Sequence, residues 1–243
     1  MDCVFAVQGP DFVLLAGDRA CVSGSIIKFQ DTDHKILKLS DNQMLACVGE
    51  AFDKKNFAKY IKANMEYYYF QNGQRLTTDE TAAFLRKELS EGIRSNSPHQ
   101  CNCLIAGYDI DGPKLYWLDY LGSYAKLLKA AHGYGAYFLY GLMDNFYKKN
   151  LSLEEGEDII KKCIKELKTR FSINMVDFDV FKITKKGIEN IASTSIDNTS
   201  SITRWWRSIH WWWSIISISI HRWWWSIKRP WWPIKASSII HFI

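Results

Sequence analysis

MDCVFAVQGPDFVLLAGDRA, residues 1–20, holds two short apolar runs, at 4–7 and 12–16, on either side of a Gly9-Pro10-Asp11 turn. Apolar runs of this length separated by Gly and Pro predict a β-hairpin. The second run ends in Gly17-Asp18-Arg19, so an acidic group stands where the strand leaves the sheet. Three more short apolar stretches follow: SIIKF (25–29), KILKL (35–39) and MLACVG (44–49). The first fifty residues therefore read as consecutive strands.

The pattern then changes period. Phe57, Tyr60, Ile61, Asn64, Met65 and Tyr68 recur at helical spacing, predicting a helix over 52–70 that Asn72-Gly73 ends. Thr77-Thr78-Asp79-Glu80 is a capping box opening a second helix, with Ala82, Leu85, Leu89 and Ile93 as its inner stripe. Strand patterning returns in NCLIAGYD (102–109), KLYWLDYLG (114–122) and YAKLLKAA (124–131). Two further helices are expected at 136–149 and 154–170, the latter behind a second capping box at Ser152 and burying Ile160, Cys163, Ile164 and Leu167. A last hairpin spans 177–191 and turns at Lys186-Gly187. Strands, helix pair, strands, helix pair, strands is not the βαβ alternation of a parallel sheet. The expectation is an α+β fold: a four-layer α/β/β/α sandwich, two stacked antiparallel sheets flanked by helix pairs.

Composition divides the 243-residue chain into two parts. The net charge of +5 arises beyond Asp197, where six basic residues meet no acid, so residues 1–197 are almost neutral. That body predicts no nucleic-acid footprint. Ten of the eleven tryptophans also lie past residue 204. The expected boundaries are a folded domain over 1–192 and a low-complexity Trp/Ile/Ser/Arg segment over 193–243. In that segment a unit recurs as SITRWW, SIHWWW, SIHRWWW and SIKRPWW without solenoid spacing. It reads as an extension with no settled structure, of the kind that read-through or a faulty gene model produces. An arm that binds a membrane surface or stacks on nucleic acid is the alternative. The six cysteines (3, 21, 47, 101, 103, 163) form no CxxC pair, and reduced core thiols of a cytoplasmic or nuclear protein are expected. No apolar run reaches membrane-spanning length, and neither a cofactor nor a metal is expected.

GPDFVLLAGDRA (9–20), CVGEAFD (47–53), FAKYIKANM (57–65), CNCLIAGYDIDGPKLYWLDYL (101–121) and KAAHGYGAYF (129–138) together resemble the proteasome β subunits of the N-terminal-nucleophile hydrolase superfamily. The resemblance extends over residues 1–192. It implies the four-layer sandwich already expected, and partners in the other α and β subunits of stacked heptameric rings. In active members of that family an N-terminal threonine attacks the peptide carbonyl, with its own α-amine as base. The resemblance places Asp18 and Lys35 on the family's supporting acid and lysine, and Gly49 on the glycine whose N–H faces the oxyanion. It places Asp2 on the nucleophile itself, and Tyr134, between Gly133 and Gly135, on a serine of the catalytic cluster. Around TRFSINMVDF (169–178) no carboxylate falls where active members carry a second aspartate; Asp177 and Asp179 lie too far along. No Gly-Thr pair precedes the first strand. The reading is a non-catalytic structural subunit, with no catalytic residue, in which Asp18 and Lys35 persist because a half-buried ion pair is costly to break. The alternative is a peptidase trimmed to expose Cys3. His34, His99 and His132 have no partner at metal or triad spacing and read as surface or capping residues.

Overall fold

A computed structural model describes residues 2–23, 27–30, 33–96, 98–171 and 177–191. The expectations for 193–243 lie outside the described residues. Within the body, strands β1 (Cys3–Gln8), β2 (Phe12–Asp18), β10 (Lys129–Gly133), β11 (Phe178–Thr184) and β12 (Gly187–Asn190) form one antiparallel sheet in the order β10-β1-β2-β11-β12. A second antiparallel sheet has the order β5-β6-β7-β8-β9. It comprises β5 (Ile36–Lys38), β6 (Gln43–Gly49), β7 (Cys101–Asp109), β8 (Gly112–Leu118) and β9 (Tyr124–Lys126). Strands β3 (Cys21–Ser23) and β4 (Ile27–Gln30) pair separately as a short ribbon.

Strand alternation explains the layering, because successive side chains point to opposite faces. In β1 and β2, Val4, Ala6, Val13 and Leu15 meet Met44, Ala46, Val48, Leu104 and Ala106 of the other sheet in a central core. Cys3, Phe5, Val7, Phe12 and Leu14 point the other way, against α3 (Ala136–Phe146) and α4 (Leu153–Arg170). Leu45, Cys47, Cys103 and Ile105 pack against α1 (Ala51–Asn72) and α2 (Thr78–Gly92). The four-layer α/β/β/α arrangement is therefore present. Both sheets are buried on both faces, which is why the strands read as unbroken apolar runs.

The helix ends follow the local chemistry of the sequence. Gly73 caps α1 at φ 70°, and both predicted capping boxes form, Thr77 with Glu80 and Ser152 with Glu155. Ser152→Ala removes the acceptor of the Glu155 N–H (3.2 Å). It should lower stability by about 1 kcal/mol, read as the shift of the urea midpoint of the purified chain.

Two expectations need correction. Tyr60 and Tyr68 are exposed, and the buried face of α1 is Lys54, Phe57, Ala58, Ile61 and Met65. Tyr60 lies on the flank of that face, where its hydroxyl donates to Glu88 of α2 at 3.0 Å. Residues 124–131 are not one strand. The chain leaves the second sheet after Lys126 and enters the first at Lys129, so that β9 pairs with β8 and β10 with β1. The two leucines between them are bonded to opposite sheets: Leu127 N–H donates to Leu115 of β8, and Leu128 C=O accepts from Gln8 of β1.

Candidate functional site

The candidate residues converge at one end of the sandwich. Asp18 closes β2, and its buried carboxylate accepts the backbone N–H of Cys3 (2.6 Å) and of Ala20 (3.2 Å). The Lys35 ammonium reaches it from just before β5 at 2.9 Å, and also donates to the carbonyls of Asp18 (3.0 Å) and Ala20 (2.7 Å). Three buried acceptors thus hold the cation, and two backbone N–H groups together with that cation hold the carboxylate. Burial pushes the Asp18 carboxyl above the usual carboxylate range, against the opposing pull of Lys35.

Asp2 extends this pair into a chain of charges. One of its carboxylate oxygens lies 3.4 Å from Lys35 Nζ, and the other accepts from Lys54 Nζ at 2.8 Å. Lys54 also holds Asp33 (2.8 Å), and Asp33 in turn meets Lys55 (2.8 Å). Asp18, Lys35, Asp2, Lys54, Asp33 and Lys55 therefore alternate in sign along a single path. Burial alone would raise the Asp33 carboxyl; Lys54 and Lys55 outweigh it and hold the group at about 2. Burial alone would likewise lower Lys54, and Asp2 and Asp33 reverse it, so its pKa is raised. Lys54 and Asp33 were not singled out from the sequence. The available signal was a lysine on the apolar stripe 54, 57, 58, 61, 65, because a cation at such a position needs a buried partner.

Gly49 ends β6 at φ 144°, where L side chains are strained, and a Cβ there would collide with the Gln100 carbonyl. Its N–H points to Asp2, with 3.4 Å between nitrogen and carboxylate oxygen. Asp18, Lys35 and Gly49 are thus brought together, around the Asp2 carboxylate. Gly133 lies against the same residue, since a Cβ on it would overlap the Asp2 carbonyl. Tyr134, the next residue, is exposed.

Cys3 is directed elsewhere. Its side chain is fully buried in the layer beneath α3 and α4, next to Gly135 and Leu167. Burial, reinforced by the Asp18 charge, pushes its thiol well above the ordinary thiol range.

His34 is exposed, as expected, whereas His132 and His99 depart from the expectation of surface residues. His34 Nδ1 lies 2.7 Å from Asp179 Oδ2, and Arg19 flanks the same carboxylate at 3.6 Å. His132 is buried, stacked on Trp117 at 4.8 Å between ring centroids. His99 is half-buried against Phe57, 5.1 Å between centroids. Spacing along the chain could not show these pairs, since Asp179 is 145 residues from His34. Among the described residues no group of three or more His, Cys, Asp or Glu is arranged to hold a metal ion.

A cavity of about 300 Å³ adjoins the charge chain, lined by Lys35, Lys54 and Lys55 together with Ile36, Cys47 and Ala58.

Residues 2–183 match the family described as proteasome subunit. The chain belongs to the proteasome subunit family. It is 41% identical over 193 residues to a probable proteasome subunit beta type-4 of Meyerozyma guilliermondii, a match covering 78% of this chain and 98% of that one. It is 37% identical to proteasome subunit beta type-2 of Oryza sativa subsp. japonica, over 79% of this chain and 90% of the relative. Proteasome subunit beta type-4 of Saccharomyces cerevisiae is 36% identical, over 79% and 97%. The proteasome-family resemblance read from the sequence therefore holds, and these relatives are β-type subunits.

Proposed function

We propose that this chain is a non-catalytic, structural β subunit of the 20S proteasome core, in the cytoplasm and nucleus. It supplies one position of a seven-membered β ring, closes the proteolytic chamber and positions active neighbours. The observation that carries this reading is the Asp2 carboxylate. The resemblance puts it at the position of the family's threonine, and in the structure it is tied at once to Lys35, Lys54 and the Gly49 N–H. A carboxylate paired with two ammonium groups is a poor nucleophile toward an amide carbonyl. It also places negative charge on the N–H that would have to receive an oxyanion.

Two further features support a structural role. The helices keep large apolar side chains outside: Phe52 and Phe70 on α1 and Tyr137 on α3 are 73%, 81% and 85% exposed. Faces of that kind suit extensive subunit contacts with α and β neighbours. The nearly neutral body offers no general attraction for nucleic acid. The competing reading, a peptidase trimmed to begin at Cys3, needs a thiolate from a thiol that burial disfavours.

The test is to isolate the native particle and treat it with a covalent inhibitor directed at N-terminal nucleophiles. Adducts are expected on active neighbours and none on this chain. An adduct on this chain, or N-terminal mapping that finds it starting at Cys3, overturns the proposal.

A further inference from the structure

Cys47 of β6 and Cys103 of β7 face one another directly across the second sheet, with their sulfurs 3.4 Å apart. The position in the ladder is informative. Cys47 N–H donates to the Lys35 carbonyl at 2.9 Å, so the polar backbone groups of Cys47 point toward β5. Toward β7, Cys47 and Cys103 are therefore a non-hydrogen-bonded pair. At such pairs the α-carbons approach to about 4.5 Å and the side chains come closest. That separation falls within the range a disulfide spans, and an S–S bond of about 2.0 Å asks each sulfur to move by well under 1 Å.

Access is asymmetric. Cys103 is wholly buried beneath α1 and α2, whereas Cys47 forms part of the wall of the cavity beside Lys35 and Lys54. Lys35, Lys54 and Lys55 line the same cavity, and their positive charge stabilises an oxyanion that departs beside the sulfur. A peroxide is small enough for a cavity of about 300 Å³. Cys101, two residues before Cys103 on the same face of β7, lies opposite Gly49 and not opposite Cys47.

We propose that Cys47 and Cys103 are a site of oxidative modification, at which a peroxide entering the cavity converts two thiols into an inter-strand disulfide. The Cys47 sulfur attacks one peroxide oxygen, the O–O bond breaks, and the departing hydroxide takes up the proton that the Cys47 thiol gives up, leaving as water. The resulting Cys47 sulfenic acid is attacked by the Cys103 sulfur. The new S–S bond forms as the second oxygen departs with the Cys103 proton as water. Two sulfurs lose two electrons in all, and one hydrogen peroxide becomes two water molecules. The product ties β6 to β7 and draws a thiol out of the cavity wall. This inference is independent of whether the subunit is catalytic.

The experiment uses the assembled particle, purified reduced, freed of reductant and exposed to hydrogen peroxide. Remaining thiols are then alkylated in denaturant and the unreduced tryptic peptides are mapped. A linked species of peptides 39–54 and 95–114, lighter by two hydrogens and separated by dithiothreitol, is expected. Fragment ions of the unsubstituted chain should assign the bond to Cys103. The link should survive in Cys101→Ser and vanish in Cys103→Ser, where Cys47 should accumulate as sulfenic or sulfinic acid. Three results overturn the proposal: Cys47 and Cys103 both alkylated after peroxide, fragment ions assigning the link to Cys101, or over-oxidised Cys47 without any link in the unsubstituted chain.

Discussion

Lys35→Met should cost about 3–5 kcal/mol of folding stability at neutral pH, because it strands the Asp18 carboxylate in the protein interior. The side chains of Lys35 and Asp18 are both fully buried, so the substitution leaves the carboxylate in the interior without its ammonium partner. Asp2 loses one of its two cationic partners at the same time. Substituting both members of the pair, Lys35→Met with Asp18→Asn, should recover much of the loss, since no isolated charge is then left inside. The pH dependence has a definite sign. Burial already raises the Asp18 carboxyl above its unfolded value, and removal of Lys35 raises it further. The folded variant then takes up a proton before the unfolded chain does, so the deficit shrinks as the solution is acidified through the folded-state value. Urea unfolding of the parent, the single variant and the double variant at several pH values measures all three effects. A single variant within about 0.5 kcal/mol of the parent at pH 7 would rule out a strongly coupled buried pair.

Acid should also destabilise the body through His132. Burial in the stack on Trp117 lowers its pKa from 6.5 to about 4, and its Nε2 has no hydrogen-bond partner. The unfolded chain takes up this proton near 6.5 and the folded one only near 4. Between those values the unfolded state therefore binds more protons, and stability falls as pH falls. The loss begins at the unfolded value and levels off below the folded one, amounting to about 3 kcal/mol in total. His132→Phe keeps an aromatic ring beside Trp117 while removing the titration. Its unfolding free energy should be flatter than the parent's between pH 6.5 and 4. Parallel curves would refute the assignment to His132.

Features set by a few neighbouring residues could be read from the chain alone. The Gly9-Pro10-Asp11 hairpin, the two capping boxes and the Gly73 stop each depend on chemistry within about four positions, and each forms where expected. The layering followed from the order of strand and helix patterns, because alternation in β1, β2, β6 and β7 leaves no polar face to confuse the period. What failed depended on partners far away in sequence. Tyr60 fits a helical spacing as well as Phe57 does; only the position of α2 decides which of them turns inward. YAKLLKAA contains nothing that says the chain must change sheets at its two leucines. The site was half legible. Asp18, Lys35 and Gly49 could be placed by resemblance to a family, but Lys54, which joins Asp2 to Asp33, and Lys55 come from α1, about twenty residues past Asp33 and fifty past Asp2.

The passage through Leu127 and Leu128 has a consequence for how the sandwich meets its surroundings. Each five-stranded sheet has two edges: β10 and β12 in one, β5 and β9 in the other. An unpaired edge strand is a template on which a foreign strand can add. Because β9 runs into β10 through two residues that bond to opposite sheets, those two edges are drawn together into a closed side. Among the described residues the sandwich is left with one open side, formed by β12 and by the three-residue β5 that carries Lys35 just ahead of it. Among the described residues, strand-on-strand addition by a misfolded neighbour is thus directed to one flank, and there it meets strands of only four and three residues.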